Sequence, residues 1–243
     1  MERNRRKARF RMVLGLLCAL GLFSGCAAVS PRPLPIPPAA GLAEDHSATA
    51  ERLGKRMAAH LERRYPAPLS QVHRLHLSFG GRSLLLNGYL SVSAPGTYRL
   101  LAQAEMGGTL FAMEKRAGAS PAIVRNPAGL PRRWLLGPVA RDIDAIYFHT
   151  PDGPFTVLRG EGGAPALLFR TGQGESTLFT FTSGGKRLLS EARYDGQEEI
   201  YRIDYRYTGD AERPGQIRIM SLAPSYQLTI QVFDNSTRGL KNG

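Results

Sequence analysis

The sequence predicts a mainly β protein, in which an antiparallel sheet is strongly curved or forms a closed or half-closed barrel, with an N-terminal helix and a short helical segment that can cover the barrel mouth. From residue 71 onwards, apolar side chains recur at alternate positions in short runs, which is the period of strands. Turns rich in Gly, Pro and Asp separate these runs, so consecutive strands are expected to pair antiparallel. One segment, 126–148, breaks the alternation. A series of this many short strands needs a way to protect its edges, and curling into a barrel supplies it.

The strand prediction follows the chain in order. The first group spans 72–79, 83–92, 97–105 and 109–115, with a short run at 122–125. The second group spans 155–158, 166–170, 176–182, 187–194, 199–207, 216–220 and 226–233. Alternate side chains of these strands line the interior, and we expect Leu100, Ala102 and Leu110 to be among them.

The first 25 residues have the pattern of a secretory signal peptide. Six basic residues precede an uncharged apolar run at 12–23, which is too short for a comfortable membrane span. Leu22-Phe23-Ser24-Gly25-Cys26 resembles a bacterial lipobox, which implies that Cys26 is lipidated after cleavage. The other interpretation is an ordinary signal peptide that leaves Cys26 as a stray thiol. Ala27 and Ala28 follow without an inner-membrane retention aspartate, so we expect a lipid anchor in the outer membrane, facing the periplasm.

Residues 26–45 contain five prolines, which predicts an extended tether. The folded domain is then expected at 46–243. Its first element is a helix at 47–64, capped by Ser47, with Leu53, Met57 and Leu61 recurring every fourth residue. Pro66 ends it.

The hairpin between the runs 97–105 and 109–115 carries an unusual residue. Gly107 and Gly108 are typical of a tight turn because glycine adopts positive φ without steric cost. Met106 beside them is long and apolar, where polar residues are expected. Two interpretations remain: Met106 folds back onto the core, or it is exposed and contacts an acyl chain or a bilayer.

The segment 126–148 predicts the lid. Pro138 is a favoured first residue of a helix that continues through Ile143 and Ile146. Asp142 and Asp144 are expected on its outer side. A short helical piece before it carries Leu135 and Trp134, the only tryptophan.

Catalysis, metal binding and cofactor binding have no support in the sequence. The five histidines are scattered, and no spacing of His, Cys, Asp or Glu matches a zinc or calcium pattern. No G-x-S-x-G elbow and no phosphate-binding glycine loop occurs. The net charge is +12, but the sequence has no basic stripe interleaved with aromatic residues. A membrane surface is therefore a better partner than nucleic acid.

Taken together, these features resemble the outer-membrane lipoprotein receptor family LolB and its relatives of the LolA/LolB fold group. The resemblance rests on Cys26, on the strand at 98–101, on the Met106-Gly107 tip, and on Arg133-Trp134-Leu135-Leu136-Gly137. It implies an unclosed barrel with a helical lid that holds acyl chains. Met106 stands where the family exposes a leucine, with Glu105 in place of a proline.

The function that the resemblance implies is to accept acylated lipoproteins, or similar lipid-linked cargo, and to help insert them into the outer membrane. Its partners would be acyl chains, the outer-membrane bilayer and a periplasmic LolA-like carrier, with no cofactor and no bond broken. The alternative is a non-catalytic structural or assembly accessory lipoprotein of an envelope glycolipid or pigment pathway, whose barrel is packed by its own side chains.

Overall fold

The computed structural model describes residues 42–65, 67–149, 151–160, 163–170 and 175–234. Cys26, the signal peptide and most of the tether lie outside these residues. The described part contains one antiparallel sheet of thirteen strands and two helical segments. The strands are β1 (Ala43–Glu44), β2 (Leu69–Phe79), β3 (Arg82–Ala94), β4 (Thr97–Ala104), β5 (Thr109–Lys115), β6 (Ala122–Arg125), β7 (Phe155–Arg159), β8 (Pro165–Arg170), β9 (Glu175–Phe181), β10 (Leu188–Asp195), β11 (Glu198–Arg206), β12 (Gln216–Leu222) and β13 (Ser225–Asp234).

The sheet is curved and does not close. Its strand order is β1-β7-β8-β9-β10-β11-β12-β13-β2-β3-β4-β5-β6, so β1 and β6 are its edges. The late strands join the early ones through β13 and β2, where Leu228 pairs with Leu77. This confirms the predicted fold class. The structure has one strand more than the twelve predicted runs, because Ala43–Glu44, assigned to the tether, pairs with β7.

Helix α1 (Ala48–Glu62) covers the β7–β8 side of the sheet. Ser47 caps it as predicted, because its side chain accepts a hydrogen bond from the Ala50 amide at 3.1 Å. Gly54 allows close packing, since a Cβ there would lie 2.7 Å from the side chains of Phe155 and Val157. Among the described residues, no helix is long and apolar enough to cross a membrane.

The inner face of the sheet, which α1 and the lid segment cover, holds the core. One register row crosses five strands with Ile203, Ile219, Leu228, Leu77 and Leu84. Ile203 and Ile219 are fully buried, Leu228 and Leu77 are half-buried, and Leu84 is 40% exposed. Burial of this row therefore decreases from β11 towards β3.

Candidate functional site

The lid consists of three consecutive helical pieces: α2 (Arg132–Trp134), a wide π-helical turn (Leu135–Val139) and α3 (Ala140–Tyr147). Pro138 lies inside the wide turn rather than at a helix start, so the predicted beginning at Pro138 was wrong. Proline lacks the amide hydrogen that an α-helix needs at this position, and its ring crowds the preceding turn. The backbone therefore forms a wider helical turn around Pro138, and the α-helix continues beyond that turn.

The predicted interior residues lie in one apolar cluster. The lid contributes Leu135, Ile143 and Ile146, which are at most 8% exposed, and β4 contributes Leu100 and Ala102. Burying each large aliphatic side chain stabilises the closed lid by about 1.5–3 kcal/mol relative to leaving it in water. The closed lid thus has a substantial apolar attachment to the sheet.

The beginning of the lid is less buried than its middle. Trp134 is half-buried and contacts Phe79 at the end of β2, with 4.9 Å between ring centroids. Leu110 at the start of β5 is also half-buried. With Leu84 and Leu77 on the adjacent strands, these side chains form a partly exposed apolar surface, which we call the mouth.

The sequence predicted Asp142 on the outer side of the lid, and this prediction was wrong. It is 5% exposed, and its carboxylate accepts hydrogen bonds from Tyr226 at 2.6 Å and Tyr201 at 3.0 Å. Arg141 donates to the Tyr226 hydroxyl at 2.8 Å and to Ser221 at 3.2 Å. Burial raises the pKa of Asp142 above its ordinary value, although the tyrosine hydrogen bonds and Arg141 act in the opposite direction.

A second polar cluster fixes the end of α3. Tyr147 donates to Gln71 at 2.8 Å, and its hydroxyl lies 3.0 Å from Nε2 of His73. Arg64, from the turn after α1, donates to the carbonyl of Ala145 at 2.9 Å. Burial lowers the pKa of His73 to about 4, so this imidazole is neutral near pH 7.

A buried carboxylate lies next to this cluster. Glu191 of β10 is 0% exposed and faces Arg193 at 3.0 Å and Nδ1 of His149 at 3.0 Å. Arg64 lies 4.0 Å away. Burial alone would raise the pKa of Glu191, but the contacts with His149, Arg193 and Arg64 outweigh it and hold the pKa below its ordinary value. His149 follows the lid directly, so these charges join the lid to the sheet.

Sequence reasoning missed these polar residues. For Asp142 a signal was present, since it lies seven residues after Leu135 and four before Ile146, the spacing of one helix face. Glu191 gave no signal, because its partners are far away in the sequence. Within the described part of the chain, no three His, Cys, Asp or Glu side chains are placed to hold a metal ion.

The Met106 hairpin is exposed at one end of the sheet. Gly107 and Gly108 have φ of +86° and +87°, and the Ala104 amide donates to the Gly108 carbonyl at 3.0 Å. Met106 is 99% exposed. Its neighbour Glu105 lies 3.8 Å from Arg74 of β2, which ties the hairpin base to the sheet. The turn needs glycine at positions 107 and 108 because of their positive φ. Its remaining apolar side chain, Met106, faces the surroundings.

A cleft of about 260 Å³ lies beside the loop 151–153, which follows the lid. It is formed by α1 and the strands β7 and β8, with Leu61, Phe155 and Phe169 among its walls and Glu62 and Asp152 at its edge. None of the predicted interior residues lines it. The space between lid and sheet is occupied by the protein's own side chains.

No protein-family model and no curated protein matches this sequence. A LolA superfamily protein from Nitrosomonas europaea is similar in structure, with 10% identity over 77% of this chain and 93% of that chain and a TM-score of 0.49. A putative outer membrane lipoprotein-sorting protein domain from Vibrio parahaemolyticus has 13% identity over 79% and 95%, with a TM-score of 0.44. A DUF1329 family protein from Desulfovibrio piger has 11% identity over 77% and 94%, with a TM-score of 0.41. Likenesses of this degree do not assign the chain to a family.

Proposed function

We propose that this protein binds acyl chains of lipoproteins or lipids on the inner face of its sheet, beneath the lid. The observation that carries this proposal is the mouth, where an apolar row becomes progressively more exposed from Ile219 through Leu77 to Leu84. Single exposed apolar side chains are ordinary, but this row continues without interruption into the buried core. An acyl chain entering there has an apolar path beneath the lid.

Binding requires the lid to move, because its own side chains fill the interior. Leu135, Ile143 and Ile146 would leave the sheet, and acyl methylenes would replace them. Each buried methylene contributes about 0.8 kcal/mol, so a chain of ordinary length offsets the loss of the lid contacts. The exchange makes both loading and release possible, since the empty protein closes on itself.

The finer proposal is a LolB-like role. The protein, anchored through Cys26 in the outer membrane, would take acylated cargo from a periplasmic LolA-like carrier and pass it to the bilayer. Met106 would contact that bilayer, because a flexible thioether side chain on an exposed tip adapts to a disordered apolar phase. This role needs no cofactor and no bond cleavage.

A second candidate function is supported by the buried polar clusters. The hydrogen bonds of Asp142 and the ion pairs of Glu191 hold the lid against the sheet. Such bonds are more typical of a permanently packed core than of a carrier with an empty cavity. An accessory lipoprotein that assembles other envelope components would have this property.

Native mass spectrometry of the full chain, purified from bacterial membranes in mild detergent, separates the two. The carrier predicts lipid or acylated peptide retained in addition to the anchor on Cys26. Recovery of the anchored protein without any further acyl group would contradict acyl binding and favour the accessory role.

A further inference from the structure

One end of the sheet carries an unpaired basic surface, which we call the basic rim: Arg82 at the start of β3, Arg125 at the end of β6, and Arg132 and Arg133 at the start of the lid. All four side chains belong to exposed residues. Within the described part of the chain, no ion pair and no side-chain hydrogen bond engages any of them.

The register of the strands places the rim beside the Met106 hairpin. Ala104 pairs with Leu86, so Leu84 lies next to the hairpin tip and Arg82 lies beyond it. The Ala128 amide donates to the Leu110 carbonyl at 3.3 Å, which holds the loop after β6 against the same end of the sheet. The contact of Trp134 with Phe79 brings the lid start there as well.

Basic residues predominate on the rim side of this end of the sheet, and Arg170 at the end of β8 is an exposed cation on the other side. Near the rim, Glu105 is engaged by Arg74 at 3.8 Å. Exposed Asp195 and Glu198 lie in the β10–β11 turn, which strand pairing places at the same end but several strands away. The rim side also carries Met106, 99% exposed, and Leu84, 40% exposed. Cations that surround exposed apolar side chains are complementary to an anionic bilayer surface, where head groups pair with the cations and the apolar tips insert.

We infer that the basic rim docks the protein on a bilayer containing anionic lipids, and that docking draws the start of the lid away from Phe79. This inference rests on the proposed function and adds the lipid class and the trigger for opening. Arg132 and Arg133 directly precede Trp134, so a head group that binds them acts on the lid itself. The mouth then opens towards the membrane that receives the cargo.

Trp134 is the only tryptophan and therefore reports on this event. The full chain is reconstituted into phosphatidylcholine vesicles with brominated acyl chains, with or without added phosphatidylglycerol, and tryptophan quenching is measured. We expect stronger quenching with phosphatidylglycerol, and we expect salt at about 1 M to remove the difference because the Debye length falls to about 3 Å.

The test variant replaces Arg82, Arg125, Arg132 and Arg133 by Gln, and each replacement should weaken the docking equilibrium about fivefold. The double variant Arg132→Gln with Arg133→Gln is matched in charge by the control Arg52→Gln with Arg56→Gln, which removes two exposed cations from α1 next to β7 and β8. Circular dichroism verifies that all three variants fold. Equal quenching in the two vesicle types, or an equal effect of the control, would overturn the inference. Lipid retained in native mass spectrometry would still support acyl binding in that case.

An acidic protein surface is the other occupant that the rim fits. If quenching is insensitive to phosphatidylglycerol while the rim variant loses cargo transfer from a carrier protein, the rim binds that protein and the bilayer assignment is wrong.

Discussion

The two ends of the lid are attached to the sheet by different physical means. At its start, Trp134 lies half-buried against Phe79, beside exposed arginines, and the contact is apolar and open to solvent. At its end, Tyr147 and His149 bind to buried polar groups, including the fully buried Glu191. Buried polar bonds are costly to break because each partner is left without water. Under the proposed function, the lid would therefore open from its start and pivot at its end.

Removing the buried carboxylate of Glu191 should have the largest effect on the attachment at the end of the lid. Glu191→Ala leaves Arg64 and Arg193 without their counter-charge inside the protein, and we expect a loss of about 3–5 kcal/mol in the free energy of unfolding, measured with urea. Glu51→Ala, which removes an exposed carboxylate paired with Lys55, is the control and should leave the urea midpoint unchanged. Equal effects of both changes would contradict a buried charge cluster that attaches the end of the lid.

The attachment at the end of the lid should also become less stable in acid. Burial lowers the pKa of His73 to about 4, whereas the unfolded chain protonates near 6.5. Between these values the unfolded state binds more protons, so stability falls as the pH falls, by about 3 kcal/mol in total. His73→Gln should flatten the dependence of unfolding free energy on pH in this window, and His46→Gln at an exposed site should not. A wild-type profile that is already flat would contradict a neutral buried His73.

The middle of the lid depends on Asp142. Asp142→Asn keeps the shape but disturbs the hydrogen bonds from Tyr201 and Tyr226, and we expect a loss of about 1–3 kcal/mol. Amide hydrogen exchange across the lid should accelerate more than exchange in β2. Asp144→Asn, on the partly exposed pair with Lys115, is the matched control and should have the smaller effect. A larger effect of Asp144→Asn would place the main lid attachment at the surface.

The Met106 hairpin, near the start of the lid, should tolerate substitution with little loss of stability. Met106 is 99% exposed, so Met106→Glu should leave the thermal midpoint within error of the wild type. It should impair delivery of labelled lipoprotein into outer-membrane vesicles, because a carboxylate does not enter an apolar phase. Leu189→Glu, at an exposed apolar residue of β10, is the control and should deliver normally. Normal delivery by Met106→Glu would remove the bilayer role of the hairpin.

The sequence predicted the sheet well because alternation and glycine turns are local signals. It missed β1, since two residues carry no period, and it misplaced the start of the lid helix because Pro138 is typical of a first helical turn. Leu100 and Ala102 were predicted from the same alternation, whereas Ile143 and Ile146 were predicted from the helical segment. The polar interior was not, because Glu191 meets Arg64 and His149 only after long stretches of chain have folded together.

The claim that acyl chains bind the inner face of the sheet can be tested on a single strand. Leu84 and Tyr89 of β3 are 40% and 41% exposed, and their separation by five residues places them on opposite faces. A photoreactive residue is introduced at each position in living bacteria supplied with labelled palmitate. Acyl binding on the inner face predicts light-dependent cross-links to acylated species from position 84 and none from position 89. Equal cross-linking from both positions, or cross-linking from position 89 alone, would contradict it.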